Sequence, residues 1–173
     1  MNMKITQTKE VFNGRLLKVY LAERKLPNGH IVKLELIRHL GAVLIVPFLE
    51  KDKLILIRQY RAVINSYLWE LPAGTLNRNE RPQLCAQREL MEEIGYKSGS
   101  LRRIGYIYPA PGYTTEKIII YAARLLEKVE AKNDPDEVIV AKPLSSKEIK
   151  RLFNSGKIVD AKTICALKFA RIL

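Results

Sequence analysis

At 173 residues, with 47% hydrophobic and 28% charged side chains, the chain has the size of one domain and enough apolar mass for a core. No apolar run approaches the ~18 residues of a membrane helix, the first residues lack the apolar stretch of a signal peptide, and two cysteines are too few for a disulfide framework, so reduced thiols in a cytoplasm are expected. The formal net charge of +12 is scattered, with no run of five basic residues, and reads as a solvated basic surface rather than a nucleic-acid module.

In chain order, residues 10–38 are β-rich. Residues 11–21 read as a hairpin arm, and Pro27-Asn28-Gly29 is a turn signal with residues 31–37 climbing out of it. Residues 42–48 are nearly all apolar, as in a strand buried on both faces. Lys51-Asp52-Lys53 turns into a further strand over 54–60. The clearest helix spans 80–94. Pro82 is tolerated in its first turn, Gly95 suits its end, and Ala86, Leu90 and Ile94 recur at four-residue spacing on the buried side. Strands fit 101–108 and 117–125, separated by the turn-rich Pro109-Ala110-Pro111-Gly112. The polar loop Asn133-Asp134-Pro135-Asp136 precedes a strand at 138–140. Short helices near 145–154 and 161–171 follow, the first opened by the capping-box pair Ser145 and Glu148. Strands outnumber helices and most neighbours are joined by short turns, which predicts an α/β protein with a mixed sheet.

The spacing in the middle of the chain carries the chemistry. Gly74 is followed by Glu80 and then by Arg88-Glu89-Leu90-Met91-Glu92-Glu93-Ile94-Gly95-Tyr96. On a helix, Glu93 lies about 40° and Glu92 about −60° from Glu89, so the acids share one arc, away from Ala86, Leu90 and Ile94. Acids so crowded repel unless a cation lies among them, and a hard ion such as Mg²⁺, which also holds phosphate oxygens, suits them. Arg88 is predicted to point away from the arc and to fork onto Glu80. Gly74 is predicted to permit a turn that aims the Ala73 carbonyl at the ion. A bare E-x-x-E-E would more often face water. The full pattern has seven fixed letters, each used at about 6%, and arises by chance on the order of once in 10⁸ starts.

This pattern resembles the signature of the Nudix hydrolases, G-x₅-E-x₇-R-E-U-x-E-E-x-G-U with U bulky and apolar; Tyr96 is its one softened position. The flanks resemble the ADP-ribose pyrophosphatase branch through four segments: Arg58-Gln59-Tyr60-Arg61, Glu70-Leu71-Pro72-Ala73-Gly74, Tyr108 to Glu116 with Pro111-Gly112 at its centre, and Asp160-Ala161-Lys162-Thr163. The resemblance implies an α/β/α sandwich with a mixed sheet over 39–173 and an N-terminal antiparallel β subdomain over 1–38, its β arm exchanged between the subunits of a homodimer. It implies Mg²⁺, with Mn²⁺ as a substitute, held by Glu89, Glu92, Glu93 and the Ala73 carbonyl, with Gly74, Glu80 and Arg88 bracing the motif. The metals would neutralise and orient a pyrophosphate and lower the pKa of an attacking water. Candidates for the base are Glu93, Asp134, Asp136 and Glu137.

For substrate contacts, Arg61 could clamp a phosphate, Pro111 and Gly112 could sort ligand shapes, and Glu116 could orient water or a ribose hydroxyl. Arg38 could stack on a purine, as could Phe12 and Tyr20, although core packing is the main expectation for these two aromatics. His30 and His39 read as structural or exposed, and Cys85 as a buried packing residue. The implied reaction is hydrolysis of ADP-ribose to AMP and ribose 5-phosphate, with no membrane partner. Rivals are another nucleoside diphosphate derivative such as GDP-mannose, or a non-catalytic basic module binding nucleic acid.

Overall fold

The computed structural model describes residues 5–14, 17–130 and 137–173. They form two units, one of Met1–Gly41 with Tyr108–Lys117, the other of Ala42–Ile107 with Ile118–Leu173.

In the first unit, β1 (Ile5–Asn13), β2 (Lys18–Lys25) and β3 (Ile31–Ile37) form an antiparallel sheet in the order β1-β2-β3. Residues 11–21 are therefore not one arm: they hold the end of β1 and the start of β2. The turn after β2 is closed by Gly29, at φ +89°, whose N–H donates to the Leu26 carbonyl at 2.9 Å. The 108–117 segment pairs with the end of β3: the Ile37 N–H donates to the Tyr113 carbonyl at 2.8 Å, and the Thr115 N–H to the Ile37 carbonyl at 3.0 Å. The apolar interior is thin. Ala22 and Leu36 are buried, while Val11, Phe12, Leu17, Leu21 and Ile31 are exposed. Core packing, expected for Phe12, is not what the chain does, because a three-stranded sheet covers little apolar area on its own.

The second unit is a mixed sheet between helices. Its strands are β4 (Ala42–Glu50), β5 (Lys53–Arg61), β6 (Ser66–Glu70), β7 (Ala73–Thr75), β8 (Tyr96–Ile107), β9 (Ile118–Lys128) and β10 (Ile139–Ser145). The order is β10-β5-β4-β9-β8, with β6 on β5 and β7 on β4; β4 and β9 run parallel and the other pairs antiparallel. Pro143 is accommodated because β10 is an edge strand.

Alternation along β4 divides the core. Val43 and Ile45 pack with Cys85, Ala86, Leu90 and Ile94 of α1 (Pro82–Ile94). Leu44, Val46 and Phe48 pack with Ile149 of α2 (Ser146–Asn154) and with Ala166 and Leu167 of α3 (Ala161–Phe169). Helices on both faces explain why residues 42–48 of β4 are apolar, as the sequence predicts, and make the α/β/α sandwich. Truncating a fully buried residue such as Leu44 to alanine would cost about 2–5 kcal/mol.

The end of α1 follows expectation, and its start differs. Gly95, at φ +70°, closes the helix by donating to the Leu90 and Met91 carbonyls. The helix begins at Pro82 rather than at residue 80, because Arg81 is extended (φ −74°, ψ 135°) and a residue before proline is driven out of the helical region. The Ser145–Glu148 capping box on α2 is formed reciprocally. Strands β6 and β7 have no sequence-level forecast; they are too short to show a period.

Candidate active site

Glu89 and Glu93 are almost fully buried, unusual for carboxylates on a helix. Gly74 explains how Glu89 is accommodated. The glycine does not make the predicted turn: it lies in β7 opposite Val43 of β4, with no left-handed backbone. A Cβ there would lie 1.7 Å from Glu89 Oε1, so glycine is required for close approach of a carboxylate. One residue earlier, the Ala73 N–H donates to Glu93 Oε2 at 3.1 Å. The β7 strand and α1 thus hold two acids side by side.

Arg88 forks onto Glu80 as predicted, with Nε 3.1 Å from Oε1 and Nη2 3.2 Å from Oε2. It does not point away from the acid arc, however. Its Nη1 donates to Glu89 Oε1 at 2.6 Å and to Glu92 Oε2 at 2.9 Å. Angular position on a helix fixes the Cα, whereas a long arginine swings towards the densest negative charge. Glu80 is held below the usual carboxylate range by its hydrogen bond from Arg88, and Arg88 is pushed well above its own. Burial lifts Glu93 to about 9, with the charge of Glu89 adding to it. Burial also raises Glu89, only partly opposed by Arg88. Glu137 contributes to the upward shift of both acids, which sets its charge within reach of them. Cys85 is buried and its thiol is pushed up to about 12 by burial, so it is a packing residue rather than a nucleophile.

A second network lies beside the first. Glu70, fully buried at the end of β6, accepts a fork from Arg61 (Nε–Oε1 2.8 Å, Nη2–Oε2 2.7 Å) and a hydrogen bond from Lys162. Lys162 Nζ also donates to Asp160 Oδ1 at 2.8 Å. Asp160 caps α3 through the Thr163 N–H, and Thr163 Oγ1 accepts the Leu71 N–H at 3.0 Å. Burial would raise Glu70, but Arg61 and Lys162 outweigh it and hold the acid low. Glu70, Lys162 and Asp160 were visible in sequence only as motif letters. The available signal was an acid within the otherwise uncharged stretch 62–73, which implies a cationic partner.

Of the predicted site residues, the second unit brings together Ala73, Gly74, Glu80, Arg88, Glu89, Glu92, Glu93 and Glu137. Arg61 joins them through its charge, which acts on Glu93. Arg38, Pro111, Gly112 and Glu116 belong to the first unit. There Arg38 lies 4.3 Å from the Tyr20 ring centroid. His39 is structural: its Nδ1 accepts the Gly41 N–H, and its Nε2 lies 3.9 Å from Glu116. Asp134 and Asp136 lie outside the described residues.

Among the described residues no three carboxylates close on one point as a ready metal cage. The donor set nevertheless fits a hard divalent cation. It is all oxygen, two of its acids are buried and under-neutralised, Gly74 leaves space where a side chain would exclude Glu89, and a guanidinium nitrogen already bridges Glu89 and Glu92.

A catalytic-type acid cluster on the first helix of an α/β/α sandwich defines a class, and residues 38–167 match the NUDIX domain family. The chain belongs to the Nudix hydrolases. Within them it is similar to the ADP-ribose pyrophosphatase of Bacillus subtilis, 31% identical over 98% of this chain and 92% of that protein. The methanol dehydrogenase activator of Bacillus methanolicus is 33% identical over the same shares. A GDP-mannose pyrophosphatase of Citrobacter koseri is 30% identical over 75% of this chain and 72% of its own. The crystal structure of an ADP compounds hydrolase superposes with a TM-score of 0.84 at 27% identity, covering 99% of this chain and 93% of that one.

Proposed function

We propose that this hydrolase cleaves the pyrophosphate of ADP-ribose, with Mg²⁺ or Mn²⁺, to AMP and ribose 5-phosphate. The observation that carries the reading is the pair of buried, under-neutralised acids, Glu89 and Glu93, pressed against the Ala73–Thr75 strand. The near full-length similarity to an ADP-ribose pyrophosphatase supports the choice of substrate.

Glu89, Glu92, Glu93 and the Ala73 carbonyl would hold the divalent ion. When bound, it supplies charge neutralisation of the diphosphate and makes water a stronger acid. The chain's own residues do the rest. The Ala73 N–H orients the Glu93 carboxylate, and Glu80 anchors the Arg88 guanidinium beside Glu89 and Glu92. Water oxygen attacks one phosphorus, the P–O–P bridge breaks, and a carboxylate takes the proton released. Glu93, whose affinity for a proton is raised, and Glu137 are the described candidates, with Asp134 and Asp136 beside them in sequence. Arg61, locked by Glu70, presents fixed positive charge to a phosphate. Arg38, Pro111, Gly112 and Glu116 are candidates for substrate contact by resemblance alone.

The test is a panel of ADP-ribose, NAD, ADP-glucose and GDP-mannose with Mg²⁺, scored for nucleoside monophosphate release. ADP-ribose should give the highest kcat/KM; equal or better turnover of GDP-mannose overturns the reading. The exposed apolar residues of β1 and β2 support a homodimer through the N-terminal sheet, to be checked by light scattering. The two unpaired thiols suit a reducing cytoplasm.

A further inference from the structure

A cavity of about 460 Å³ opens on the α2/α3 face of the sheet, lined by Phe48 of β4, Arg102 and Ile104 of β8, Ala122 and Arg124 of β9, and Arg171 after α3. That volume is in the range of small-molecule sites. Arg102 faces Ala122 across the β8–β9 pair, and Arg124 follows two residues on, so both project to this face. Arg103 also lines the cavity, but its partner Tyr121 belongs to the α1 side of the core.

Three features indicate a built site. The Arg124 guanidinium carbon lies over the Phe48 ring, 4.1 Å from its centroid, which holds the cation at the cavity wall. The Phe169 ring lies directly over Gly105, where a Cβ would come within 2.6 Å of it, and forms an aromatic wall. Arg171 takes φ +60°, a left-handed conformation that non-glycine residues rarely adopt, while the next residue, Ile172, is buried and pins the turn. Among the described residues Arg102, Arg124 and Arg171 have no carboxylate partner, unlike Arg61 and Arg88. Guanidiniums gathered round one cavity repel until an anion enters, and their planar forks match phosphate oxygens.

We propose that this cavity is a second ligand site, distinct from the acid cluster, which binds the phosphoryl group of a small phosphate monoester. Free phosphate, a nucleoside monophosphate and a sugar phosphate share that chemistry. The test titrates the full chain, without added metal, with inorganic phosphate, AMP and ribose 5-phosphate, and separately with a single-stranded DNA oligonucleotide. The backbone amide signals of Ile104, Gly105 and Ala170 are followed by NMR. At least one monoester or phosphate itself should give saturable shifts there, with affinity falling roughly tenfold in R102A/R124A. R102A alone, which leaves the Arg124 stack in place, should weaken binding in the same direction. Absence of saturable shifts, affinity unchanged in both variants, or shifts with the oligonucleotide alone would overturn the proposal, the last identifying a nucleic-acid surface instead.

Discussion

Two carboxylate networks flank the Glu70–Gly74 stretch, and they are balanced differently. Around Glu70, two cations meet two acids, and Glu70 is held low. Around Glu89 and Glu93, one arginine is shared among Glu80, Glu89 and Glu92, and both buried acids are pushed up. The first network is complete and serves as a brace. The second is short of positive charge, a deficit that the proposed dication would offset. Equal burial of acids therefore does not mean equal purpose; the local charge balance separates scaffold from chemistry.

The largest expected effect breaks the second network alone. Glu93→Gln should lower kcat by about 10²–10⁴-fold in an AMP-release assay while circular dichroism stays unchanged. If activity survives, the acid cluster is not the working site. Gly74→Ala comes next. Its methyl group displaces the Glu89 carboxylate, so the Mg²⁺ concentration for half-maximal activity should rise about 10–100-fold, with the thermal midpoint little altered. Glu70→Gln tests the brace. It should cost about 2–3 kcal/mol in urea unfolding, reduced from a fully buried pair because Arg61 and Lys162 retain partial access to water. An unchanged midpoint there would erase the contrast between the two networks.

The most gradual effect concerns pH. A buried acid whose folded pKa is raised binds more protons in the folded than in the unfolded state. Stability of the metal-free protein should therefore fall as pH rises from about 4.5 to about 9, the window of Glu93. The slope from this one group is at most about 1.4 kcal/mol per pH unit. Glu93→Gln should flatten that slope in calorimetry, and a rising curve across the window would contradict the assignment.

The sequence made local features legible. The α1 end at Gly95, the Ser145 cap and the two-faced β4 all follow from nearest-neighbour chemistry, and the acid cluster from one spaced motif. The contacts that balance charge were not legible. Glu70 meets Lys162 across 92 positions, and no local pattern records such a pairing. The reach of Arg88 back to Glu89 and Glu92 depends on side-chain torsions that helix geometry does not fix. The sequence points to backbone freedom at Gly74, whereas the decisive constraint is the absence of a Cβ beside Glu89. Strand β7, three residues long, gains its identity only from pairing with β4.

One hydrogen bond, from the Leu71 amide to the Thr163 hydroxyl, ties the last helix to the strand connection that leads into the acid cluster. Damage far along the polypeptide would thus register at the proposed reaction centre: a protease nick near residue 160, or a bulky fusion straining the final helix, should blunt turnover before it unfolds anything.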